Sequence, residues 1–90
     1  MNIYKDEAME VLSACSDLVI RNQKLRGKEL DAFMNGVHLM QYAFRRGLGR
    51  KDDIQKQFDH IKTFESVELA LGAICELEAL LLKWHGKGKI

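Results

Sequence analysis

The sequence predicts an all-α fold, a small up-down antiparallel bundle of three to four helices. Three observations predict it. The chain of 90 residues contains no proline and few hydroxyl residues, and the helix formers Leu, Ala, Glu, Lys and Met dominate its composition. Apolar residues recur at steps of three and four along successive stretches. The breaks between these stretches are short, and short connections favour antiparallel neighbours.

The stretch from Ser66 to Trp84 is the most apolar of the chain and predicts the helix around which the others pack. Its seam, spaced by three and four residues, is Val67, Ala70, Ile74, Leu77, Leu81 and Trp84. The apolar residues that widen this seam are Leu71, Ala73, Leu80 and Leu82. Such a helix must be covered on most of its circumference, either by the bundle or at a subunit interface.

The side of this helix opposite the seam carries Gly72 and Ala79, seven residues apart, where a second helix can approach closely. Charged residues mark its wet side, namely Glu68, Glu76, Glu78 and Lys83. The glutamates interrupt the apolar run, so the stretch is not predicted to span a membrane, which needs roughly 20 predominantly apolar residues.

The first helix is predicted over residues 3 to 23. Its seam comprises Tyr4, Ala8, Val11, Cys15 and Leu18, with Leu12 and Val19 beside it. Polar residues fall mostly on the other face, and the charges at the two ends match the helix macrodipole.

The second helix is predicted from Lys28 to Arg46, after a turn at Gly27. Its seam comprises Leu30, Phe33, Val37, Met40 and Phe44, with Met34 beside it. Gly36 lies within this helix, where glycine costs up to about 1 kcal/mol relative to alanine. A close helix crossing at Gly36 is the simplest compensation. Gly47 and Gly49 are expected to end the helix.

A short third helix is predicted to begin at Asp52, which with Gln55 resembles a capping box. It carries Ile54, Phe58 and Ile61 on its apolar face. A break between Thr63 and Ser66, with either residue as N-cap, separates it from the last helix. One continuous, kinked helix from residue 52 to 84 is the alternative, and residues 85–90 are expected to form a flexible tail.

Size and charge predict a single domain over residues 1–90, in the cytoplasm. The formal net charge is +1, from 14 basic and 13 acidic residues, which gives no global attraction to nucleic acid. The first residues lack the apolar segment of a signal peptide. Cys15 and Cys75 are isolated and are expected to be buried free thiols, a disulfide between them being the alternative.

No pattern in the sequence predicts catalysis, a cofactor or a metal. The histidines His38, His60 and His85 lack metal-ligand spacing, and His38 is expected to be partly buried. The carboxylate groupings sit at helix starts or among exposed residues: Asp6, Glu7 and Glu10, then Asp52 and Asp53, then Glu65 and Glu68. We therefore expect a protein that is not an enzyme.

Basic residues cluster at two places that an up-down bundle brings to the same end. Around the second turn lie Arg45, Arg46, Arg50 and Lys51, and at the chain's end lie Lys83, Lys87 and Lys89. Tyr42 and Phe44 precede the arginines, so aromatic and cationic groups are interleaved, as in surfaces that contact phosphates. The helix macrodipole alone also favours cations at helix C-termini.

Two functions follow as expectations. The first is a non-enzymatic interaction protein, a regulator or inhibitor that docks on a larger protein or forms a homodimer through apolar helix faces. Small accessory proteins of bacteria or phages often have this organisation. The alternative is a nucleic-acid-binding accessory protein whose basic end is formed by Arg45, Arg46, Arg50, Lys51, Lys83 and Lys87.

Overall fold

A computed structural model describes the backbone of residues 3–23, 25–45 and 50–88, and the side chains of 8–22, 25–43 and 50–88. The helices are α1 (Ile3–Gln23), α2 (Lys28–Arg45), α3 (Lys51–Ile61), a 3₁₀ helix (Glu65–Ala70) and α4 (Leu71–Gly86). The described part of the chain contains no strand. The predicted all-α bundle is confirmed.

The helices pack around one core to which every element contributes. α1 lies against α2 and α4, α3 lies against α2 and α4, and the 3₁₀ helix packs on α2. The large side chains with almost no exposed surface are Leu12, Val19, Phe33, Val37, Met40, Ile54, Phe58, Ile61, Val67, Ile74, Leu77 and Leu81. Burial of such side chains is the main favourable term in folding.

The seam predicted for the last helix is the one that faces this core, and we call it the inner seam. All of its residues from Val67 to Leu81 are buried, and Trp84 is half-buried. The close crossing predicted at Gly36 is also confirmed. A Cβ atom at Gly36 would lie 2.7 Å from Cδ1 of Ile74 and 3.3 Å from Cγ2 of Ile61.

The face of α1 that enters the core differs from the predicted one. Ala8 and Cys15 are buried as expected, but Leu12 and Val19 are buried with them, and Ser16 is only 3% exposed. Of the predicted seam residues, Val11 is only half-buried and Leu18 is exposed. The buried stripe is therefore rotated around the helix by about one residue from the predicted seam. The positions of α2 and α4 set which side of α1 is covered.

The predicted start of α3 is wrong. Arg50 occupies the N-cap with extended backbone and makes no side-chain capping hydrogen bond, so Asp52 and Gln55 form no capping box. Arg50 instead pairs through its Nε with Oδ2 of Asp53, at 3.1 Å. The apolar face of α3, carried by Ile54 and two later residues, is buried as predicted.

A turn and the 3₁₀ helix separate α3 from α4, so the continuous kinked helix is wrong. Phe64 is the N-cap of the 3₁₀ helix and makes no side-chain capping bond. Thr63 and Ser66 therefore cap nothing. The Thr63 hydroxyl donates back to the carbonyl of His60 at 2.6 Å, and the Ser66 hydroxyl accepts a hydrogen bond from Asn35 at 3.4 Å.

The expected flexible tail of residues 85–90 is wrong for residues 85–88, and residues 89 and 90 lie outside the described residues. α4 continues through Gly86, and the backbone N–H of Lys87 bonds to the carbonyls of Lys83 and Trp84. The turn predicted at Gly27 is confirmed by its φ of 58°, in the left-handed region that glycine tolerates best. Gly47 and Gly49 lie outside the described residues.

Candidate interaction surface on α4

A second seam runs along the 3₁₀ helix and α4, on the side opposite the inner seam, and we call it the outer seam. Its residues follow alternating steps of four and three: Glu68, Gly72, Cys75, Ala79, Leu82 and Gly86. Leu82 is half-buried and the others are exposed. A Cβ atom at Gly72 or Gly86 would meet nothing within 4 Å. The repeat that buries the inner seam thus recurs on a face that the described residues leave uncovered.

Two exposed leucines border the outer seam. Leu69, in the 3₁₀ helix, is 60% exposed, and Leu71, at the start of α4, is 39% exposed. Between Glu68 and Lys83 every exposed residue is uncharged. The half-buried Glu76 lies next to Cys75 and marks one edge of this surface. Exposed apolar area rimmed by polar residues is typical of a protein–protein contact.

An ion pair borders this surface on the side that faces α3. Nζ of Lys62 donates to Oε1 of Glu78 at 2.7 Å, and Lys62 also lies 3.8 Å from Oδ1 of Asp59. The hydrogen bond to Glu78 raises the pKa of the Lys62 ammonium above its usual value, although partial burial opposes the rise. Oε2 of Glu78 is buried and has no hydrogen-bond partner among the described residues. Glu78 therefore depends on Lys62 to compensate its charge.

The two cysteines lie in different environments. Cys15 is buried in the core, and burial raises the pKa of its thiol. Cys75 is exposed on the outer seam, so the prediction that it is buried is wrong. Neither forms a disulfide. The sequence reading assigned Cys75 to an apolar face without establishing that another helix covers that face.

The residues predicted for a basic end are only partly described. Tyr42 is 58% exposed on α2. Arg50 and Lys51 are exposed at the start of α3, and Lys83 and Lys87 are exposed at the end of α4. The side chain of Arg45 is not described, and Arg46 and Lys89 lie outside the described residues. Whether these groups form one binding surface stays a prediction.

The histidines of the described residues lie in different surroundings. His38 is exposed, not partly buried as expected, and the ring of His60 packs edge-on against Phe64, with centroids 4.8 Å apart. Within the described residues, no group of three or more His, Cys, Asp or Glu side chains could hold a metal ion.

An open cleft of about 390 Å³ lies between α2 and α3, and its walls are mainly apolar. It is lined by Leu39, Tyr42, Ala43, Gln57, His60, Ile61 and Phe64. No helix in the described ranges has the length and hydrophobicity needed to cross a lipid bilayer.

Comparisons with known proteins add no further assignment: no family model matches the chain, and neither a curated protein nor a solved structure gave a match.

Sequence reasoning missed two features of this surface. It placed Glu78 on the wet side of the last helix, whereas the side chain is 15% exposed and paired with Lys62. It also recognised only Gly72 and Ala79 on the far side of that helix. Cys75 lies between Gly72 and Ala79, and Leu82 follows them, all at steps of three and four. This spacing was the signal in the sequence for a complete second seam.

Proposed function

We propose that this chain is a small, non-enzymatic interaction protein of the cytoplasm that binds protein through the outer seam of α4. It would act as a regulator or inhibitor, either by docking on a larger protein or by associating with itself. The observation that carries the proposal is the second heptad-like seam, which is exposed and uncharged at Gly72, Cys75 and Ala79 and is bordered by Leu69 and Leu71.

The physical argument rests on what an exposed helix seam can bind. A helix that presents small and apolar residues at alternating steps of three and four accepts the ridge of another helix. The small side chains at positions 72, 75 and 79 let that helix approach closely, and the flanking leucines supply the apolar area that association buries. The inner seam already stabilises the fold, so substitutions on the outer seam separate binding from folding.

The test compares direct binding by three forms of the chain. Candidate partners are captured on the immobilised chain, purified, and titrated with the wild type, with Ala79→Glu and with Gln55→Glu, a control at an exposed position of α3. The chain itself is one of the candidates. At least one partner should bind the wild type and the control alike, and bind Ala79→Glu at least tenfold more weakly. Binding that is insensitive to position 79 would refute the proposed surface.

A second candidate function is nucleic-acid binding through the basic end. The exposure of Tyr42 together with that of Lys51, Lys83 and Lys87 favours it, because an exposed ring and cations suit stacking and phosphate contacts. The pairing of Arg50 with Asp53, and the acidic neighbour Asp52, weigh against it at the start of α3. Its test is given in the Discussion.

A further inference from the structure

The open cleft between α2 and α3 has the size of a small-molecule site. Its volume of about 390 Å³ lies within the range of roughly 300–1,000 Å³ that ligand pockets occupy. The two buried lining residues, Ala43 and Ile61, form its base. The side chain at position 43 is only a methyl group, so α2 leaves space there.

Three rings line this cleft and offer flat surfaces to a ligand. Tyr42 is exposed on α2, His60 is exposed on α3, and Phe64 is half-buried just before the 3₁₀ helix. The rings of His60 and Phe64 meet edge-on, with an angle of 72° between their planes, so they present surfaces in two directions. Such rings bind another planar ring through stacked and edge-to-face contacts.

Gln57 offers the cleft a pair of hydrogen-bonding groups. It is half-buried, and its carboxamide makes no hydrogen bond with any described residue. The carboxamide places a donor NH₂ beside an acceptor oxygen, so the partner that matches it presents an acceptor beside a donor. Adenine has this arrangement at N7 and N6, and glutamine binds that edge through two hydrogen bonds.

The lining argues against other classes of ligand. None of the described lining residues is an aspartate, glutamate, lysine or arginine, so an ionised group in the cleft would lose water without gaining an opposite charge. A quaternary ammonium would contact the rings but leave the NH₂ group of Gln57 without an acceptor. A purely apolar group would leave both polar groups of Gln57 unpaired, which is costly.

We propose that the cleft between α2 and α3 binds an adenine base, whose rings pack against the three aromatic side chains and whose N6–N7 edge bonds to Gln57. The base belongs either to a free nucleoside or to a single strand, and the chemistry in the cleft is the same for both. This inference goes beyond the proposed function, because no residue of the outer seam lines the cleft.

The experiment follows the amide chemical shifts of the wild-type chain by NMR as adenosine is added. Small ligands in open clefts bind weakly, so we expect a Kd on the order of 0.1–1 mM and titrate to about 5 mM. The backbone amides of residues 39–43 and 57–64 and the side-chain amide of Gln57 should shift. Adenosine carries no phosphate, so this titration tests the base and its sugar alone.

One variant and one analogue test the two hydrogen bonds. Gln57→Leu should weaken adenosine binding by at least about tenfold, because both bonds are lost. 7-Deazaadenosine has C–H in place of N7 and should bind the wild type about fivefold more weakly than adenosine, whereas Gln57→Leu should bind the two nucleosides alike. Gln55→Leu, the same change at an exposed position of α3 outside the cleft, is the matched control and should bind adenosine like the wild type. Melting temperatures show that both variants stay folded.

A single-stranded oligodeoxyadenylate distinguishes the two sources of the base. If the base belongs to a strand, the oligomer should bind more tightly than adenosine, and its affinity should fall as salt is raised, because phosphate contacts release counterions. If the ligand is a free nucleoside, the oligomer should bind no more tightly than adenosine. Both results keep adenine in the cleft, provided that Gln57→Leu weakens the binding.

The cleft inference is overturned if adenosine shifts none of the amides in 39–43 and 57–64, or if Gln57→Leu binds adenosine as tightly as the wild type. Equal affinities of the wild type for adenosine and 7-deazaadenosine would contradict the assigned contact with N7. The proposed function is tested apart from this inference, because Ala79→Glu should bind adenosine like the wild type.

Discussion

Gly36 of α2 lies directly against Ile74 of α4: a Cβ atom on the glycine would stand 2.7 Å from Cδ1 of the isoleucine. Cβ atoms essentially never approach another heavy atom so closely. Ile61 of α3 lies 3.3 Å from the same point, so three helices meet where the side chain is missing. The glycine weakens α2 locally and allows the close packing of the bundle.

This contact predicts opposite effects for the same substitution at two glycines. Gly36→Ala should destabilise the protein, because overpacking of about 1–3 kcal/mol exceeds the gain in helix propensity of about 1 kcal/mol. Gly72→Ala should stabilise it by up to about 1 kcal/mol, since its Cβ meets nothing within 4 Å. Urea denaturation at low protein concentration measures both. A stabilised Gly36→Ala would show that Ile74 moves aside at little cost.

The inner and outer seams of α4 should respond differently to the same charge. Ile74→Asp places an unpaired carboxylate in the core and should cost about 3–5 kcal/mol or more, enough to unfold much of a marginally stable chain. Ala79→Asp, five residues further along the same helix, lies on the exposed outer seam and should change stability by about 0.5 kcal/mol or less. Circular dichroism melts of both variants test this. Equal melting temperatures would mean that the assignment of the two seams is wrong.

Removing one partner of the Lys62–Glu78 pair should destabilise the fold more than removing both. Lys62→Met leaves the buried Oε2 of Glu78 without a compensating charge and should destabilise the fold by about 1–3 kcal/mol. The double variant Lys62→Met/Glu78→Leu should recover most of that loss, because no unpaired charge remains. A double variant as unstable as Lys62→Met would indicate that packing, not charge, explains the effect.

The same pair predicts a pH dependence at the alkaline end. Because the pKa of Lys62 is raised in the fold, its contribution to stability is fully present below the unfolded value of about 10.4, and is lost as pH rises through the folded value. The difference in unfolding free energy between the wild type and Lys62→Met should therefore be constant from pH 7 to about 10 and shrink above it. If this difference in unfolding free energy stayed constant up to pH 12, the raised pKa of Lys62 would not contribute to stability.

The basic end is tested with the residues that the structure describes. Arg50→Ala/Lys87→Ala should leave the melting temperature nearly unchanged, since exposed charges contribute little to stability. If this end binds nucleic acid, the variant should bind generic DNA or RNA more weakly in a mobility-shift assay, with a shallower dependence on salt. Lys56→Ala on α3 is the control. Equal affinity and salt slope for all three proteins would remove the support for nucleic-acid binding.

The helices and most of the core could be predicted from the sequence, because helix formation and helical periodicity are local properties. The absence of proline, the turn at Gly27 and the inner seam from Val67 to Leu81 each have a direct signature in the order of residues. Gly36 was also recognisable as a crossing point, since a glycine inside an apolar helical face needs a compensating contact.

Only the tertiary structure decided which faces are covered. The apolar residues of α1 occupy more than one possible stripe, and the position of α2 and α4 selects the stripe that contains Leu12 and Val19. The same holds for the last helix: Cys75 is exposed and Glu78 is paired with Lys62 because α3 packs beside one edge of α4 and nothing described covers the outer seam. Burial is set by neighbours distant in sequence, whereas the periodicity that a single sequence displays is local.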